Sequence, residues 1–163
     1  MDHDKDVRSH VLSLLRGGNA HLTIEEAVKD FPEDAINRKF PNGKYSSWGL
    51  LEHIRRAQWD ILDFIRNSNY KQKDWPDDYW PDPKKNATKA SWSKTLKQIK
   101  ADSKELEKIL SDPNTDLYAK IPHAEGQTIL REMLLVADHN SYHLGEFAIM
   151  RQVMGTWGKN HKG

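Results

Sequence analysis

The stretch from about Gln127 to Met154 reads as one long helix, capped by Thr128 and closed by Gly155. At ~1.5 Å per residue it is about 40 Å long, so it fixes the scale of the fold and needs other helices alongside it. Glu132, Leu135, His139, His143, Met150 and Met154 fall on one narrow stripe of it. The apolar members turn that stripe towards a bundle interior.

Three further segments carry the same periodicity. From about Lys5 to Arg16, Val7, Val11, Leu14 and Leu15 form one apolar face, ended by Gly17-Gly18-Asn19. Ser46-Ser47 caps a helix reaching about Asn67, with Ser46, Leu50, His53, Ala57, Asp60 and Phe64 on one stripe and Ile54, Ile61 and Ile65 widening it. From about Thr88 to Leu110, Trp92, Leu96, Ile99, Leu106 and Leu110 are the expected buried face. The mixed charges opposite them read as a solvated surface. A short piece after the first helix has Thr23 and Glu26 at capping-box spacing and is bounded by Pro32. No segment alternates with period two, so the expected fold is all-α, a four-helix bundle in a single domain over residues 1–163.

Composition excludes several function classes. With no Cys, the chain has no disulfide scaffold, no Cys-liganded zinc or iron–sulfur site and no Cys nucleophile. A net charge of +1 with no long basic run argues against nucleic acid as a partner. Apolar runs of only a few residues argue against a membrane. The acidic start at Met1-Asp2-His3-Asp4 is unlike a signal peptide, and with the lack of Cys it fits a cytoplasmic protein.

The chemistry concentrates in three of eight histidines. His3, His10, His21 and His161 are expected at the surface, and His123 in a loop. His139 and His143 are four apart, ~40° around the helix and ~6 Å along it, so their imidazoles can converge on one divalent metal. His53 lies on the inward stripe of its own helix. Alone it fits a core histidine bonded to a backbone carbonyl or to Asp60. Three inward imidazoles are costly to bury without partners, and a shared metal removes that cost. Three such ligands leave coordination positions open, the layout of a catalytic rather than a closed structural site, where water can be acidified or a thiolate held.

The segments Trp48-Gly49-Leu50-Leu51-Glu52-His53 and Asp138-His139-Asn140-Ser141-Tyr142-His143-Leu144-Gly145-Glu146 resemble the DinB-like superfamily, with one His on the second helix and a His-x-x-x-His pair on the fourth. The resemblance covers nearly the whole chain. It implies an up-down-down-up four-helix bundle, a homodimer, and one divalent metal per chain, nickel or zinc, on His53, His139 and His143. It also implies chemistry like that of members that are thiol-dependent transferases and isomerases using bacillithiol or mycothiol.

Other residues carry weaker expectations. Glu146, three beyond His143, could be a general base or a fourth ligand. Glu52 reads as a surface or interhelix salt bridge. Asp60 could bond a histidine of the fourth helix or pair with Arg131 or Arg56. Tyr142 is expected between helices. Trp75, Tyr79 and Trp80, in the proline-rich loop 67–86, could roof a pocket, but a loop stapled down by its own aromatics is the simpler expectation. Two functions follow: a metal-dependent enzyme performing hydrolysis or transfer to a small thiol, or a metal-binding stress or interaction protein without turnover. An open cavity beside the metal with a polar group in reach distinguishes the first from the second.

Overall fold

The computed structural model describes residues 3–158; His161 lies outside them. The described elements are α1 (His3–Arg16), α2 (Ile24–Val28), a 3-10 turn (Glu33–Ala35), α3 (Ser47–Arg66), α4 (Lys89–Ser111) and α5 (Ile129–Val153). No strand occurs among the described residues, only an isolated bridge between Lys120 and Thr128. No described helix is long and apolar enough to cross a membrane.

Local chemistry sets the helix starts. The hydroxyls of Ser46, Thr88 and Thr128 accept the backbone N–H of Gly49, Ser91 and Arg131 at 3.1, 3.1 and 3.2 Å. Thr23 and Glu26 complete a reciprocal capping box on α2. Each such cap is worth about 1 kcal/mol. Gly17 (φ 71°) and Gly155 (φ 63°) supply the left-handed turns that end α1 and α5.

Side-chain pairs fix the directions. Trp48 donates to Thr95, and Gln58 donates to the Ile99 carbonyl and to Ser103. The pairs advance together, so α3 and α4 run the same way. Ser47 meets Met150, His53 meets His143 and Asn140 donates to Gln58, so α5 runs opposite to α3. Arg8 donates to the Leu110 carbonyl and Arg16 to Glu107, which sets α1 opposite to α4. The order is up, down, down, up. Because α3 and α4 are parallel, the connection between them must return along the bundle over ~30 Å, the length of α3. That path carries the aromatic loop back past His53.

The core has two sectors. Leu50, Leu51, Ile54, Ile99, Phe147 and Met150 fill one end, and Leu62, Leu106, Leu110, Met133 and Val136 the other. Several polar groups are buried with them. Arg151 is 1% exposed, and Asp102 is buried on α4 rather than solvated. Leu14, expected in the apolar face of α1, is 48% exposed. Val11 and Leu15 pack into the second sector, and Leu14, ~100° around the helix from Leu15, faces outward.

Candidate metal centre

Where α3 and α5 cross, the three predicted histidines meet. Nε2 of His53 lies 3.1 Å from Nε2 of His143 and 3.2 Å from Nε2 of His139. One nitrogen from each ring lies within 4.8 Å of the others, and this is the metal-capable group among the described residues. The outer nitrogens explain the arrangement. His53 Nδ1 is 3.0 Å from the backbone carbonyl of Tyr79, which can only accept, so Nδ1 carries the proton. His143 Nδ1 donates to the Glu146 carboxylate at 2.6 Å. Both rings therefore turn a bare Nε2 lone pair towards the same point. Two lone pairs at 3.1 Å repel, whereas a cation between them satisfies both. Bonds of ~2.0–2.1 Å at ~90–110° separate ligand nitrogens by ~2.9–3.4 Å, which brackets both of these spacings. His139 Nδ1 is buried without a hydrogen-bond partner. The donor set fits a divalent transition metal, and the three residues can hold one.

Burial, with the neighbouring imidazoles adding to it, holds His53 and His139 at a pKa of about 4. Both are neutral near pH 7, the form a metal requires. For a histidine whose folded pKa is depressed, the sign is that stability is present above the unfolded value of about 6.5 and is lost as pH falls through about 4.

The loop builds one wall. The Trp80 ring lies flat on His53, centroids 3.9 Å apart and planes within 2°. Arg56 ties the loop to α3 by donating to the carbonyls of Asp78 and Trp80, and the Tyr70 and Tyr79 hydroxyls donate to Asp60. The loop is thus stapled by its own residues and also lines the site. Asp60 takes these two phenols rather than a histidine, Arg131 or Arg56. Arg131 pairs with the buried Glu132, and Arg56 with Glu52. Glu52 also binds Arg55 and, across to α4, Thr95.

Two further placements, those of Tyr142 and His21, differ from expectation. Tyr142 is 65% exposed, its ring meeting His143 at 4.9 Å in an edge geometry, because one residue along α5 rotates it ~100° off the inward stripe. His21 is half-buried, within hydrogen-bond distance of Ser141 and of the Leu22 carbonyl. His123 is in its loop and donates to the Phe64 carbonyl. Glu146 stands behind His143, on the ring nitrogen that faces away from the cluster.

Beside the histidines opens a cleft of about 370 Å³, lined by His53, His139, Asp60, Tyr79, Trp75 and Glu132 among others. Of these, Trp75 is exposed, whereas Asp60 and Glu132 are buried. Burial pushes the Asp60 carboxyl up, against the hydrogen bonds from Tyr79 and Tyr70. Burial, then Asp60, pushes Tyr70 up to about 12 and Tyr79 higher still. Folded phenols held neutral above the unfolded value of 10 give stability that is full below pH 10 and lost as pH rises through about 12. Denaturation between pH 8 and pH 11.5 should therefore show the parent weakening above pH 10. Tyr79→Phe should show a shallower fall.

Sequence reasoning offered the loop aromatics as a possible roof and a backbone carbonyl as a possible partner of His53, but it missed that the loop supplies that carbonyl at Tyr79, since a carbonyl is identical in every residue type. The signal available was the parallel α3–α4 pairing, which forces the loop to retrace α3. A family model described as the DinB superfamily matches residues 19–147. The chain belongs to that superfamily. No curated protein and no solved structure matches it.

Proposed function

We propose that this DinB-superfamily chain is a divalent-metal-dependent enzyme acting on a small molecule, by hydrolysis or by transfer of a group to a low-molecular-weight thiol. The observation that carries the reading is the convergence of three Nε2 atoms, two with their tautomers fixed from behind, at the edge of an open cleft. A site sealed by side chains would favour a non-catalytic metal protein; the cleft supports turnover. His53, His139 and His143 would hold nickel or zinc. When bound, the metal supplies a Lewis acid that polarises a substrate oxygen or lowers the pKa of a bound water or thiol.

The chain's own residues do the rest. The Tyr79 carbonyl and Trp80 hold His53 at its angle, and Glu146 holds His143. Glu146 is proposed to serve catalysis through that hydrogen bond. Trp75 and Tyr79 offer apolar surface to substrate, and Asp60, Glu132 and Arg131 supply the polar part of the cleft's lining. The chain has no Cys, so a thiol nucleophile would enter as cosubstrate, and we place the reaction in the cytoplasm. We also propose a homodimer through the outer face of α5, where Leu134, Tyr142, Ile149 and Val153 are all exposed at helical spacing.

Glu146 gives a graded test. Glu146→Ala should weaken metal binding about 10–100-fold, the usual effect of losing a group that orients a metal-ligating histidine. Glu146→Gln, which keeps an acceptor and loses the charge, should fall between it and the parent, as measured by titration against a chelating dye. For activity, nickel- or zinc-loaded protein is assayed on a panel of small esters and on electrophiles with a low-molecular-weight thiol. Turnover that His139→Ala abolishes supports the enzyme. A fully loaded protein inert across the panel favours the non-catalytic alternative.

A further inference from the structure

A second and larger cavity, about 450 Å³, is lined by Trp80, the ring that stacks on His53. It is bounded by the start of α3, the segment before it and the proline-rich loop. Its walls include Tyr45, Trp48, Trp80 and Pro81, an apolar and largely aromatic surface. Its volume lies in the ~300–1,000 Å³ range of small-molecule sites. Three lysines, Lys39, Lys44 and Lys85, also line it, against one carboxylate, Asp82. All three lysines are exposed, and none has an ion-pair partner among the described residues. Asp82 already accepts the backbone N–H of Lys84.

The cavity is preformed. Asn37 clamps the two loops together, its side chain accepting the Ala87 N–H at 2.7 Å and donating to the Ala87 carbonyl at 2.8 Å. Tyr45 stacks on Trp80 at 4.7 Å, and Trp80 is held flat on His53. The first-turn N–H groups of α3 do not serve a ligand here. Those of Ser47, Trp48 and Gly49 go to the carbonyls of Arg38 and Ile36 and to the Ser46 hydroxyl. Positive charge at the cavity therefore comes from the lysine ammonium groups.

We infer that this cavity binds a small planar molecule that carries one anionic group, with its ring against Tyr45, Trp48 and Trp80 and its anion at the lysines. An apolar body is recognised by burial, and the anion by three long side chains that need not be desolvated. A neutral ring would gain only the first contribution. A free inorganic anion would gain only the second. The inference stands on this cavity alone and does not require metal or turnover at the histidines.

The test uses 1-naphthoate, 1-naphthyl phosphate and neutral 1-naphthamide, titrated calorimetrically into the full chain. Each anionic probe should bind at least about tenfold more tightly than the amide, the sum of three modest exposed ion pairs. The tighter of the two identifies carboxylate or phosphate as the natural anion. In the Lys39→Gln, Lys44→Gln, Lys85→Gln variant, anion affinity should fall to that of the amide while the melting temperature is unchanged. His139→Ala should leave naphthoate binding as in the parent. Equal affinity for naphthoate and naphthamide in the parent would overturn the inference. So would unchanged naphthoate affinity in the lysine variant, and loss of binding in His139→Ala would move the anion to the histidine site.

Discussion

Saturating the protein with nickel or zinc raises its melting temperature by about 5–10 °C, and His139→Ala removes that rise. A ligand at ~100 times its dissociation constant stabilises by about 2.7 kcal/mol, and each kcal/mol moves a chain of this size by about 2–4 °C. The stabilisation has a local cause. Without a cation, the lone pairs on Nε2 of His53 and His143 face each other at 3.1 Å, each fixed by a proton committed elsewhere. A cation converts that repulsion into two bonds and brings in His139, whose Nε2 is 3.2 Å from that of His53. His139→Ala removes one of three ligands and leaves the other rings and their outer partners in place. The measurement is a thermal melt with and without metal. An equal rise in parent and variant would mean the metal binds elsewhere.

Arg151→Ala costs about 3–5 kcal/mol, the scale of removing one side of a buried charged network. Arg151 reaches from α5 to three backbone carbonyls, those of Ala27 and Lys29 through Nη1 at 2.6 and 2.9 Å and that of Thr156 through Nη2 at 2.6 Å. Its guanidinium also lies 4.0 Å over the Trp157 ring and 5.2 Å from that of Phe31. Burial pushes its pKa down, with Asp30 acting against that shift. It holds the short helix α2 and the segment after α5 onto the bundle end. Alanine would leave three carbonyls without a donor and a void beside Phe31. Arg151→Lys keeps the charge but not the planar fork, so it should lie between parent and alanine. Urea denaturation gives the comparison. A loss under about 1 kcal/mol would show the network to be dispensable.

What could be read from the sequence follows from how far apart interacting residues are. Helix starts at Ser46, Thr88 and Thr128 rest on bonds three residues long, and the stripes that carry His53, His139 and His143 rest on helical period alone. The Glu146–His143 bond is equally local, and only its direction, behind the ring, depends on the fold. Asp60 was harder, because its partners Tyr70 and Tyr79 lie 10 and 19 residues away in a loop whose path no period describes. Arg151 had a readable sign, since Leu144, Phe147 and Arg151 share one face of α5 by spacing. An arginine on an apolar face normally snorkels to solvent, so its burial against carbonyls 122 and 124 residues away was not visible.

The central claim is that His53, His139 and His143 form one metal site. It is tested most directly by elemental analysis of the untagged protein beside a folded His53→Ala, His139→Ala, His143→Ala variant. The account predicts about one divalent ion per chain in the parent and none in the variant. A parent that stays metal-free after incubation with nickel and zinc, or a variant that retains its ion, would contradict it.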